Sequence, residues 1–272
     1  MPELPEVETL RRALLPLVQG KVLLEIKLLR KDLRFPIPAK QLRDEALNAP
    51  IQDIVRRGKY LLFRAPGGTM IWHLGMSGRV IRYPSMEPAE KHTHVVFRFA
   101  PDTCLHFIDP RRFGCVLWAP GNEGHPLLDD LGLEPFDPET TASALKKLAQ
   151  GRKAPIKSFL MDSRRLAGIG NIYACESLFL AGIKPMRLAG KLSLTDWGRL
   201  LEALRRTLTQ SISAGGTTLR DFYGADGSAG YFALDLSVYG REGQPCFKCG
   251  TSIVRNLQSG RSTFYCKTCQ RF

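Results

Sequence analysis

The chain has 272 residues, enough for one large or two medium domains with real apolar cores. Its 39 Lys and Arg stand against 26 Asp and Glu, a formal charge of +13, and a surplus of that size points to a polyanionic partner, nucleic acid above all. No apolar run approaches the ~18 residues of a membrane span, the acidic start lacks the apolar core of a secretory signal, and seven cysteines, four of them clustered near the C-terminus, argue for a reducing cytoplasm and a metal site against a disulfide scaffold.

The chain opens Met1-Pro2-Glu3-Leu4-Pro5-Glu6. If Met1 is removed, Pro2 gains a free secondary amine. An α-amino group titrates near ~8, well below lysine, so a useful fraction is neutral and nucleophilic at physiological pH. Attack on an aldehyde carbon would give an iminium ion, which drains electrons from neighbouring bonds. Glu3, one residue on, could serve the same substrate as a general acid or base. Val7, Leu10, Leu14 and Leu17 recur at helical spacing, Pro5 and Glu6 suit a first turn, and Gly20 follows as a stop. The ordinary reading of such a start is simply the first turn of a helix.

Val22, Leu24, Ile26 and Leu28 then alternate as in a strand. Residues 51–65 read as strand-like, Gly67-Gly68 as a turn and residues 70–74 as the return. Residues 94–100 and 104–108 form a hairpin across Pro101-Asp102-Thr103, and residues 113–118 form one more strand. This pattern predicts a β-sandwich or barrel. Pro120-Gly121 and residues 134–138 interrupt it, and helical periods follow over 142–150, 156–162, 171–181 and 194–214, the last capped by Thr195 or Asp196 and stopped by Gly215-Gly216. Residues 220–231 read as a mobile loop. The expected domains are 1–133, 134–235 and 236–272.

Cys246 and Cys249 are two residues apart, as are Cys266 and Cys269, with sixteen between the pairs. That is the spacing of a four-thiolate zinc site, and four thiolates close the coordination sphere, so the ion would be structural. A unit this small needs the metal to fold, and its surplus of Lys and Arg suits phosphate contact. Arg261 falls where a hairpin turn is expected, either a fingertip on DNA or a solvated charge. Lys59 follows Arg56-Arg57-Gly58, and three adjoining cations favour a phosphate partner. Met76 lies between Gly75 and Gly78, where it reads as exposed in a tight turn or as an ordinary gap-filler. Asp109-Pro110-Arg111-Arg112-Phe113-Gly114 sets cations beside an aromatic, which suits insertion into a duplex, although Phe is more often core. Gly168-Ile169-Gly170-Asn171 could aim backbone N–H groups at a phosphate.

Taken together these residues resemble the formamidopyrimidine-DNA glycosylases, bacterial enzymes that excise oxidised purines. The resemblance runs through Pro2–Glu8, His73–Gly78, Asp109–Gly114, Gly168–Glu176, Gly215–Leu219 and the cysteine unit. It implies an α+β fold: an N-terminal β-sandwich flanked by helices, and a C-terminal helical domain with a helix–two-turn–helix element and a four-cysteine zinc finger. It implies a monomer that acts on damaged double-stranded DNA. Pro2 would attack C1′ and Glu3 would assist sugar-ring opening. Lys59 would serve damage recognition and proton transfer in β-elimination, and Arg261 would hold phosphate, with δ-elimination. Met76, Arg111 and Phe113 match the residues that fill the gap left by an extruded base. His92, Arg111, Arg152 and Asn171 fall at DNA-binding positions. Residues 217–231 correspond to the loop over the extruded base, where Arg220 replaces the expected lysine and keeps its charge. Two alternatives stay open. One is a relative specific for oxidised pyrimidines, although such relatives tend to lack the equivalents of Arg111 and Phe113. The other is a non-catalytic zinc-ribbon protein that binds nucleic acid.

Overall fold

The computed structural model describes residues 2–86, 89–121, 124–215 and 236–271. The chain divides into two compact units, and the break falls between Asp129 and Asp130. Residues up to Asp129 form the first unit. Residues from Asp130 to Ala214 form the second together with the C-terminal cysteine segment.

The first unit is a β-sandwich with one long helix against it. Helix α1 (Leu4–Val18) begins with a capping box in which the Glu6 carboxylate accepts from the Glu3 N–H at 2.8 Å. Its apolar stripe, Val7, Leu10, Leu14 and Val18, is buried, and the helix ends before Gly20 at φ 76°. Two short helices, α2 (Ala39–Gln41) and α3 (Pro126–Asp129), lie in the same unit. One sheet has the order β1-β6-β7-β5: β1 (Leu23–Leu28), β5 (Arg79–Tyr83), β6 (Thr93–Phe99) and β7 (Thr103–Ile108). The other has the order β2-β3-β4-β8: β2 (Asp53–Arg57), β3 (Tyr60–Ala65), β4 (Gly68–His73) and β8 (Cys115–Pro120). Every pairing is antiparallel. Trp72 of β4 joins the two layers. Its ring lies 4.2 Å from Phe63 in its own sheet, and 4.7 Å and 5.9 Å from Phe97 and Phe107 in the other. Helix α1 packs on β2 and β3, so the start of the chain is held beside the hairpin these strands form.

Two expectations need correction here, and one strand was missed. Residues 51–65 are two strands, broken by the two-residue turn Gly58-Lys59 across the pair Arg57 and Tyr60. Gly58 has φ 57° at the first central position, the place that a type II′ turn gives to glycine. In β1, a bulge between Leu23 and Glu25 shifts the side-chain phase. Leu23 is therefore buried while Leu24 is exposed, against the even alternation read from the sequence. Strand β5 was not read at all, because its two buried residues, Val80 and Ile81, are adjacent and give no alternation.

In the second unit, α4 (Ala142–Ala149), α5 (Ile156–Leu160), α6 (Asn171–Leu180) and α7 (Leu194–Ser213) pack together. Two consecutive turns over residues 161–170 join α5 to α6, closed by bonds such as Arg165 N–H to the Asp162 carbonyl at 2.8 Å. This is the helix–two-turn–helix. The cap of α7 is Ser193, not Thr195 or Asp196. Asp196 is instead the N3 partner that closes its capping box. The C-terminal hairpin pairs β9 (Val254–Gln258) with β10 (Arg261–Tyr265). Among the described residues no helix is long and apolar enough to cross a membrane.

Candidate active site and nucleic-acid interface

In the first unit, Pro2 is half-buried just ahead of α1 and Glu3 is only 3 % exposed. The N-terminal end of a helix carries partial positive charge, which disfavours protonation of a nearby amine. Glu8, on the same helix, accepts from Arg11 Nη2 and Arg12 Nε, each at 2.9 Å, and lies 3.5 Å from Arg56 Nε. Burial opposes the charge of Glu8, but these guanidinium groups outweigh it and hold the carboxyl below its usual range. Arg56 Nη1 in turn donates to the Gly58 carbonyl at 3.0 Å. The chain Glu8–Arg56–Gly58 thereby ties α1 to the turn that presents Lys59, which is half-buried at its tip. Tyr60, next along, faces His73 with ring centres 4.7 Å apart. Burial, then the charges of Lys59 and Arg34, push His73 down to about 4. The ring is therefore neutral at physiological pH, and its Nδ1 accepts the Gly75 N–H at 3.0 Å.

Met76, Arg111, Phe113 and His92 come together around one residue. Asp109 is fully buried. Its Oδ1 accepts from Ser77 Oγ at 2.7 Å and from the Arg111 N–H at 3.3 Å, and its Oδ2 accepts from the Gly114 N–H at 2.8 Å. Its N–H donates to the His92 carbonyl at 3.0 Å, and its own carbonyl accepts from His94 Nε2 at 2.8 Å. The loops after β4 and after β7 are thus held together, and they leave two large apolar side chains in solvent: Met76 is 37 % exposed and Phe113 46 %. The Arg111 guanidinium lies 5.0 Å from the centre of the Phe113 ring. His92 is exposed at φ 71°. Asp109 carries the Asx-turn signature, an aspartate bonding the N–H two residues on, so the sequence held a signal for it. Nothing local marks Ser77 or His94.

In the second unit, Asn171 opens α6 and its Nδ2 donates to the Ser262 carbonyl at 2.9 Å. One amide hydrogen is therefore already spent on the finger hairpin, while the buried Oδ1 has no partner among the described residues. Lys157, on α5, is only 1 % exposed. It donates to the same carbonyl at 3.0 Å and to Thr263 Oγ1 at 2.7 Å. Ser259 and Gly260 form the hairpin turn at φ 50° and 72°, and Arg261 is the first, exposed residue of the return strand. Arg261 and Thr263 are two apart on β10, so they share a face. Arg152 is exposed beyond α4, where its Nε donates to the Leu148 carbonyl at 2.8 Å. No contact brings it to Asn171 or Arg261 among the described residues. Arg220 and the loop 217–231 lie outside the described residues. Glu176 had no role in the sequence reading. Its carboxylate accepts three consecutive backbone N–H groups, those of Ser237, Val238 and Tyr239, at 2.8 to 2.9 Å, and so anchors the start of the cysteine segment.

The sulfurs of Cys246, Cys249, Cys266 and Cys269 all lie within 4.8 Å of one another. Cys246 and Cys269 are 3.9 Å apart, and Cys249 and Cys266 are 3.5 Å apart. Four sulfurs at about 2.3 Å from one tetrahedral ion stand about 3.8 Å from each other, so the spacing fits. The donor chemistry fits as well. Hydrogen bonds from Thr251 hold Cys249 down to about 6, whereas burial and the adjacent sulfurs push Cys269 up to about 12. Thiolates this close repel one another, and a cation between them would offset that repulsion.

The comparisons with known proteins match this architecture along its length. Residues 1–116 match the formamidopyrimidine-DNA glycosylase N-terminal domain, 131–223 that family's H2TH domain, and 243–271 the zinc finger found in FPG and IleRS. The chain is 49 % identical over 278 residues to the formamidopyrimidine-DNA glycosylase of Alkalilimnicola ehrlichii, covering all of both. Among solved structures, it is similar to the MutM (Fpg) protein of Thermus thermophilus, at 39 % identity and a TM-score of 0.88 over 99 % of this chain and 98 % of that one. It is also similar to Lactococcus lactis Fpg in complex with DNA containing an abasic site, at 31 % identity and a TM-score of 0.89 over 99 % of this chain and 100 % of that one. The chain belongs to the formamidopyrimidine-DNA glycosylase family.

Proposed function

We propose that this glycosylase binds damaged duplex DNA, excises oxidised purines such as 8-oxoguanine and formamidopyrimidines, and cleaves the strand through a Schiff base on Pro2. The observation that carries the reading is the start of α1, where a half-buried Pro2 is followed by a buried Glu3. With Met1 removed, the Pro2 amine attacks C1′, the bond to the damaged base breaks, and Glu3 delivers a proton to the sugar oxygen as the ring opens to an iminium ion. The cation acidifies the C2′ hydrogens. Loss of one of them expels the 3′ phosphate, with Lys59 on the β2–β3 turn moving the proton, and a second elimination expels the 5′ phosphate held by Arg261. One nucleophile thus serves both glycosylase and lyase steps.

The base must first leave the stack, at a cost of a few kcal/mol. Met76, Arg111 and Phe113 offset that cost by filling the gap, and His92, Arg152, Asn171 and Arg220 serve as backbone contacts. Cys246, Cys249, Cys266 and Cys269 hold one structural Zn2+ that folds the finger and presents Arg261. The protein works as a monomer in the bacterial cytoplasm. Duplexes that differ only in the lesion test the substrate class: single-turnover excision should favour 8-oxoguanine over thymine glycol. The reverse preference would assign the enzyme to oxidised pyrimidines.

A further inference from the structure

We infer that Asp109 is the positioning residue that joins the two loops bearing Met76, Arg111 and Phe113 into one rigid wedge. The inference rests on the proposed reading of those three side chains as the filler of the extrusion gap. It adds a residue that touches no DNA.

The loop after β4 carries Met76 and the loop after β7 carries Arg111 and Phe113, so the wedge is assembled from two separate stretches of chain. Neither loop has regular structure to fix it. Two things hold them together. Backbone contact is the first: a Cβ on Gly75 would meet the carbonyl carbon of Phe113 at 2.3 Å and the Gly114 nitrogen at 2.4 Å, so the loops touch main chain to main chain. The second is the Asp109 carboxylate. One oxygen takes the Ser77 hydroxyl at 2.7 Å, beside Met76, and the other takes the Gly114 N–H at 2.8 Å, beside Phe113. Ser77 Oγ also accepts the Arg111 N–H at 3.2 Å, closing the link from loop to loop. The main chain of Asp109 is bonded on both sides as well, to the His92 carbonyl and to His94 Nε2. A fully buried residue whose side chain engages both loops, and whose main chain is bonded to the start of β6, leaves the loops one arrangement relative to each other.

Only a carboxylate satisfies this set, because both of its oxygens accept and every partner donates. Asn would turn one acceptor into an NH2 group and set it against the Arg111 N–H or the Gly114 N–H, both of which can only donate. The shape is nearly kept and one bond of the link is lost. A wedge displaced by even an ångström loses much of its effect, of the order of tenfold or more in rate. An intact base has to be unpaired and unstacked, whereas an abasic nucleotide has nothing to extrude. The loss should therefore weigh more on base excision than on cleavage at a preformed abasic site.

The experiment compares Asp109→Asn and Ser77→Ala with the parent enzyme, using single-turnover excision of 8-oxoguanine from a duplex and strand cleavage of the matching abasic duplex. Met76→Ala and Phe113→Ala are measured alongside. We expect the ratio of excision to abasic cleavage to fall about tenfold in Asp109→Asn and several-fold in Ser77→Ala. Should Asp109→Asn fail to fold, Ser77→Ala decides, since it removes one hydroxyl and leaves the carboxylate bonded to Gly114. An unchanged ratio in the folded variants, with Met76→Ala and Phe113→Ala both lowering it, overturns the role of Asp109 and spares the wedge. If Met76→Ala and Phe113→Ala leave the ratio untouched, the wedge reading itself falls, and the inference with it.

Discussion

Lys157 Nζ donates to Thr263 Oγ1 at 2.7 Å, and neither residue is more than 1 % exposed. A fully buried lysine is tolerated only where its hydrogen-bonding capacity is met, and its known acceptors belong to the finger hairpin. Thr263→Val keeps the shape and removes one acceptor of a charge-assisted bond. It should destabilise the second unit by about 2 kcal/mol. Lys157→Met, which removes the charge along with the bond, should cost less than that. Denaturant unfolding of the zinc-loaded protein measures both, and a Thr263→Val loss below about 0.5 kcal/mol would remove the tie.

His73 gives a pH-dependent contribution with a definite sign. The unfolded ring takes up its proton near 6.5 and the folded one only near 4, because burial and the charges of Lys59 and Arg34 disfavour the cation. The unfolded chain therefore binds more protons between these values. The stability contributed by the neutral ring is complete above pH 6.5 and is lost as pH falls toward 4. NMR titration of the ring carbons should show no protonation of His73 down to about pH 5. A midpoint near 6.5 would mean that the ring is not buried beside these cations.

Gly75 has φ 63° and leaves no room for a side chain against Phe113. Gly75→Ala combines a strained backbone with a main-chain clash and should cost about 2–4 kcal/mol in the first unit, or force the two loops apart. The thermal midpoint and the excision rate should fall together. A variant as stable and as active as its parent would contradict the close approach.

Removing the metal from the four cysteines should unfold the finger and weaken binding to duplex DNA by at least tenfold while leaving the β-sandwich intact, since the two belong to different compact units. Cys246→Ser should do the same. Circular dichroism and fluorescence anisotropy, with and without chelator, read the two effects separately. An unchanged affinity in fully demetallated protein would exclude the finger from the DNA interface.

Much of this was legible in the sequence because its signals are local. The helical spacing of Val7, Leu10 and Leu14, the hairpin across residues 101–103 and the paired Cys-x-x-Cys turns each depend on a few neighbouring residues, and each stands as expected. The turn at Gly58-Lys59 was missed because strand-forming residues, Ile54-Val55 and Tyr60-Leu61-Leu62-Phe63, lie within a few positions on both sides of it. A glycine inside a strand-like run marks a break only when its φ is known. The bulge in β1 cannot be read from one strand, since it is a property of pairing with β6. The largest gap concerns residues that act through others. Glu8, Asp109, Lys157 and Glu176 meet partners between 32 and 106 positions distant, and no local spacing encodes such contacts. Asn171 shows the same limit, since its amide is already bonded to Ser262, 91 residues on.

The most direct test of the whole account is borohydride reduction in the presence of an abasic-site duplex, followed by peptide mapping of the trapped protein. An iminium ion formed during turnover is reduced to a stable amine, so a covalent protein–DNA adduct should form and map to a peptide beginning at Pro2. An adduct on a lysine, or full strand cleavage by protein that still carries Met1, would contradict the mechanism.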